Sequence, residues 1–121
     1  MKAYTDIEQS KKLAKILPLD SADMSYTLDF NSVRYYITTA SYESWVVPKY
    51  AESYKGLNQV LPCWSLAALL DILHDYTLQT NSDGSVFVVC DSRKPMVSDS
   101  YKNPIDACYT MIVELKERNL I

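Results

Sequence analysis

Glycine and histidine are scarce in this chain: two glycines and one histidine stand among 121 residues. With no recognisable catalytic or metal-ligand spacing around His74, too little is left to name a reaction. Asp83-Gly84 reads as a turn, not as an EF-hand loop or a phosphate cradle. A long hydrophobic run is also missing. The most apolar stretch, residues 66–73, is far shorter than the roughly 20 residues needed to cross a bilayer, so no membrane span is expected. Asp6, Glu8, Lys11 and Lys12 interrupt the apolar positions near the N-terminus, which lacks the pattern of a secretory signal, and a cytoplasmic setting is expected. Basic excess is lacking too. Twelve Lys and Arg against fifteen Asp and Glu leave a net charge of −3, and nucleic-acid affinity depends on basic contacts, so nucleic acid is not an expected partner. Three cysteines, Cys63, Cys90 and Cys108, are an odd number at wide spacings. They suit neither a disulfide framework nor a CxxC zinc site, and are expected to be reduced, buried and inert.

What remains is an ordinary globular composition, 48% apolar and 22% charged, at a length that fits a single domain over residues 1–121. Thr5 and Glu8 form a candidate capping box for a first helix, which Pro18 ends. Its apolar stripe is Ile7, Leu13, Ala14, Ile16 and Leu17, and its wet face places Glu8 to meet Lys12. Tyr26-Thr27-Leu28 and the residues from Val33 to Thr38 read as a hairpin around Asn31-Ser32. Leu61-Pro62-Cys63-Trp64 reads as the lead-in to a buried helix with Ser65 as N-cap and Leu66, Leu69, Leu70 and Leu73 inward. A second hairpin joins the residues from Tyr76 to Thr80 with those from Val86 to Cys90, and Asp83-Gly84 supplies its tight turn. Asn103 and Pro104 start a last helix with Ile105, Cys108, Met111, Ile112 and Leu115 inward, Glu114 placed to pair with Arg118, and Asn119 at its stop. The sum is an α+β domain: a small antiparallel sheet built from hairpins, packed against about three helices.

Candidate chemistry is sparse. Cys63 with His74 is the one nucleophile and base worth pairing, but a helix between them would hold them roughly 13 Å apart. Asp71 and Asp75, one turn apart with His74 beside them, could be imagined as a hydrolytic or metal site. Two acids at that spacing are common on helices, and a metal would lack further ligands. No catalytic, cofactor-binding or metal-binding residue is assigned, and no cofactor is expected. Tyrosine is the unusual residue, with ten copies. Tyr42, Trp45, Tyr50 and Tyr54 fall together in residues 42–54 among polar neighbours, the composition of an interaction hot spot. The competing structural reading has these rings filling one side of a small sheet with their hydroxyls at the water boundary.

Three segments carry a resemblance: Thr5-Asp6-Ile7-Glu8-Gln9-Ser10-Lys11-Lys12-Leu13, Leu61-Pro62-Cys63-Trp64-Ser65-Leu66-Ala67-Ala68-Leu69-Leu70 and Asn103-Pro104-Ile105-Asp106-Ala107-Cys108. Together they resemble an uncharacterised family of small bacterial proteins found in prophage or mobile-element gene neighbourhoods of gut anaerobes. The resemblance covers the two ends and the middle of the chain and brings no catalytic residue with it. It implies an accessory role in a phage or mobile element. The expectation is therefore a non-enzymatic module that binds another protein, or itself as a homo-oligomer, through Tyr42, Trp45, Tyr50 and Tyr54. A small hydrolase using Cys63 or the Asp71, His74 and Asp75 cluster is the alternative.

Overall fold

A computed structural model describes residues 2–29, 34–38, 60–73, 75–90 and 97–121. Two compact units are present, one over residues 6–65 and one over residues 1–5 with 66–121.

The first unit begins with helix α1, Ile7–Ile16. Its cap is Asp6, one residue later than the expected Thr5. The Asp6 carboxylate accepts the Gln9 N–H at 2.8 Å, and Gln9 Oε1 accepts the Asp6 N–H at 3.1 Å, a reciprocal capping box. Thr5-x-x-Glu8 and Asp6-x-x-Gln9 both satisfy that pattern locally. Burial separates them, because Thr5 has no exposed surface while Asp6 is exposed and carries its negative charge to the positive end of the helix. Glu8 lies 3.8 Å from Lys11. Leu17 closes the helix in extended backbone, φ −115 and ψ 152, as a residue before proline must. Inward stand Leu13, Leu17 and, unforeseen, Ser10.

A 3-10 turn, Leu19–Ser21, leads to strand β1, Met24–Asp29. β1 is the middle strand of a three-stranded antiparallel sheet in the order β2-β1-β3. Strand β2, Arg34–Thr38, pairs with it from Ser25↔Thr38 to Asp29↔Arg34, the register of the expected hairpin. Strand β3, Val60–Cys63, pairs from Met24↔Cys63 to Thr27↔Val60. Residues expected to lead into a helix are thus a strand. Four residues are too few to show a period, and Pro62 argues locally against a strand. At the sheet's edge, opposite Ser25, its missing N–H is tolerated.

Trp64 follows, fully buried. Its indole N–H donates to Ser21 Oγ at 2.9 Å, and the Ser21 hydroxyl donates to the Pro18 carbonyl. Next to it, the Ser65 N–H donates to Asp23 Oδ1 at 2.9 Å and the Ser65 hydroxyl to Asp23 Oδ2. α1 packs against β3, with Leu13, Leu17, Ala22, Tyr26, Cys63 and Trp64 buried.

The second unit holds helix α2, Leu66–Ile72, which buries Ala68 and Leu69. Leu73, just past it, is also buried. Its neighbours Leu66, Leu70 and Ile72 are half-buried. Strand β4, Tyr76–Thr80, and strand β5, Val86–Cys90, form the expected hairpin, paired from Tyr76↔Cys90 to Thr80↔Val86. Gly84 sits in its turn at φ +88, a conformation open to glycine at little cost.

Helix α3, Pro104–Glu117, packs against α2 and β5. Asn103 accepts the Asp106 N–H at 2.9 Å as N-cap, and Pro104 takes the first helical position. Ile105, Cys108, Met111, Ile112 and Leu115 have no exposed surface, as their helical spacing predicts. Glu114 pairs with Arg118 at 3.0 Å. Asn119, at φ 56, ends the helix. Its N–H reaches the Lys116 carbonyl and the Leu120 N–H the Leu115 carbonyl, the bond pair of a Schellman motif. Helices and antiparallel strands make the fold α+β, with the strands in two small sheets among the described residues.

Leu69→Ala should destabilise the protein by about 2–5 kcal/mol through the cavity left at a fully buried position, measured by urea unfolding. Asn103→Ala should cost about 1 kcal/mol by loss of the α3 cap, and an unchanged unfolding curve would remove Asn103 from that role.

Candidate functional site

The aromatic candidates Tyr42, Trp45, Tyr50 and Tyr54 lie outside the described residues, as does His74. The remaining candidates can be placed. Cys63 ends β3 and has no exposed surface. A nucleophile must meet both a substrate and a base, and a thiol sealed in a core meets neither without a local opening. Asp71 lies in the last turn of α2, whereas Asp75 stands beyond the helix, where the Tyr76 N–H bonds to the Leu73 carbonyl at 2.8 Å. The expectation of two carboxylates one turn apart on a single helical face is therefore corrected. α2 stops at Ile72, before Asp75. Both carboxylates are exposed. Among the described residues no group of three or more His, Cys, Asp or Glu is placed to hold a metal ion.

Cys108 is fully buried in α3, and burial pushes its thiol up to about 11, since a thiolate is poorly solvated there. Cys63 and Cys108 are free and buried, as expected for structural cysteines. The side chain of Cys90 lies outside the described residues.

The carboxylates with defined partners do bracing work. Asp83 Oδ1 accepts the Ser85 hydroxyl at 2.6 Å and the Ser85 N–H at 2.9 Å, and these bonds hold its carboxyl below the usual carboxylate range. Asn81, at the other end of that turn, donates from Nδ2 to Ser85 Oγ and Ser100 Oγ, each at 2.9 Å. Asp106 accepts from Lys2 Nζ at 2.9 Å and from Asn103 Nδ2 at 2.8 Å. Sequence reading passed over Asp23 with Ser65, Ser21 with Trp64 and Lys2 with Asp106. Each pair is far apart along the chain, and no local pattern announces it.

No described helix is long and apolar enough to cross a membrane. The chain matches no protein-family model, and no curated protein or solved structure matches it.

In the native protein at pH 8, iodoacetamide should leave Cys63 and Cys108 unmodified, and both should alkylate in guanidinium. Peptide mass spectrometry reads the outcome site by site. Rapid native modification of Cys63 would restore it as a nucleophile.

Proposed function

We propose that this protein is a non-enzymatic accessory domain that acts in the cytoplasm by binding another protein, or a second copy of itself, through residues 42–54. The observation that carries the reading is the gathering of Tyr42, Trp45, Tyr50 and Tyr54 in one short stretch. Tyrosine and tryptophan offer large, rigid contact area at low entropic cost, with a polar atom to orient the partner. The family resemblance at the helix starts supports an accessory role in a prophage or mobile element.

The competing reading is a small hydrolase using Cys63 or Asp71, His74 and Asp75. Two placements weigh against it: Cys63 is sealed from solvent, and Asp75 falls beyond the helix that carries Asp71.

The test is affinity capture of the tagged protein from the cells in which it occurs, comparing wild type with Trp45→Ala and Tyr50→Ala after circular dichroism has shown each variant to be folded. A specific partner should be retained by wild type and lost from both variants. Association left intact in the two folded variants would overturn the aromatic interface.

A further inference from the structure

The turn between β4 and β5 holds the place in this chain where the backbone has most room to attack a side chain. Asp83 is the only aspartate followed by glycine, and no asparagine is followed by glycine. In an Asp-Gly pair the amide nitrogen after the aspartate can add to the carboxyl carbon, because glycine has no Cβ to crowd the ring that closes. Ser82, Asp83 and Gly84 are exposed, and a Cβ built at Gly84 would meet nothing within 4 Å. Water reaches the pair and the space beside it is open.

The folded turn nevertheless holds both reacting atoms apart from that use. The Gly84 N–H donates to the Asn81 carbonyl at 3.0 Å, and attack needs that nitrogen to give up its proton. The Asp83 carboxylate is turned to Ser85 instead. Its Oδ1 accepts the Ser85 N–H at 2.9 Å and the Ser85 hydroxyl at 2.6 Å. Ser85 Oγ is in turn held by Asn81 Nδ2 at 2.9 Å, which also reaches Ser100 Oγ at 2.9 Å. The Asn81 N–H donates to the Ser85 carbonyl at 2.7 Å and closes the base of the turn. The bonds from Ser85 also keep the carboxyl ionised, whereas ring closure expels water most readily from the neutral acid.

We propose that Asp83-Gly84 is a backbone-modification site gated by its own turn, closed while the bonds among Asn81, Asp83, Gly84 and Ser85 stand and reactive when the hairpin opens. In the open chain the Gly84 nitrogen attacks Asp83 Cγ. A C–N bond forms, the C–OH bond breaks, and the N–H proton leaves with the hydroxyl as one molecule of water. The product is a succinimide. Water then adds to the ring at the former main-chain carbonyl and breaks its bond to the Gly84 nitrogen. That leaves isoaspartate, in which the main chain runs through the Asp83 side chain and the old carbonyl carbon has become a free carboxylate. The new link is one carbon longer, so the Gly84 N–H no longer meets the Asn81 carbonyl in the same register. Opening of this hairpin therefore leaves a covalent record in the chain. The site is separate from residues 42–54 and does not depend on the aromatic reading.

The test is incubation of the full chain at 37 °C and pH 6, native and in guanidinium, with isoaspartate at position 83 read by electron-transfer dissociation mass spectrometry. In guanidinium it should accumulate. The native wild type should form it more slowly by about tenfold or more, because only the opened fraction reacts. Ser85→Ala, checked for native circular dichroism, should react about fivefold faster than native wild type through the loss of a hydrogen bond to the carboxylate. Ser85→Thr keeps the hydroxyl and should match wild type. An Asp83 that stays unmodified in guanidinium would overturn the site, and a native wild type as fast as the unfolded chain would overturn the gate. So would a folded Ser85→Ala no faster than wild type. If Ser85→Ala does not fold, the comparison of native and unfolded wild type decides the proposal by itself.

Discussion

The buried indole of Trp64 is the constraint on which the first unit depends. A ring of that size supplies much apolar burial but brings an N–H that must be satisfied. Ser21 accepts that N–H and donates a hydrogen bond from its own hydroxyl to the Pro18 carbonyl. One short chain of donors thus ties the 3-10 turn after α1 to the residue that follows β3. Asp23 repeats the tie one residue further on, by accepting both polar hydrogens of Ser65. With the end of β3 held beside the start of β1, the two strands pair in the register Met24↔Cys63, and β1 is the middle strand of its sheet.

The second unit is organised from within its own sequence. α3 is capped at its start by Asn103 and Pro104 and stopped by Asn119, and between them one apolar face is fully buried. The β4–β5 hairpin is closed by Gly84 and braced by Asn81, Asp83 and Ser85, all within its own turn. Bridges from Val97 and Tyr101 complete one of its edges.

Chemistry and structure part company at the cysteines. A free cysteine in the core is a small apolar side chain, and in Cys108 desolvation raises the thiol far from neutrality. Asp6, Asp23, Asp83 and Asp106 cap a helix, brace a turn or clamp a distant chain segment. Such work needs short polar side chains at bends and helix starts, which is where this sequence puts them.

Local order was legible in the sequence because its causes are local. The turn at Asp83-Gly84, the Asn103-Pro104 start, the Asn119 stop and the inward face of α3 all follow from conformational freedom, fixed φ and helical period. The β1–β2 hairpin followed from strand propensity on both sides of a turn. Where two local solutions were equal, as with Thr5 and Asp6 at the start of α1, only tertiary burial of Thr5 decided between them. β3 was hidden because a four-residue strand containing proline has no period of its own and exists through its pairing with β1. The ties of Ser21 to Trp64, Asp23 to Ser65 and Lys2 to Asp106 were hidden too, since each joins residues that only the folded chain brings together. The sequence by itself determined where elements start, turn and bury. The tertiary structure decided which strand accepts which neighbour, which carboxylate finds a donor, and which thiol is closed to solvent, because those depend on distances that no local pattern encodes.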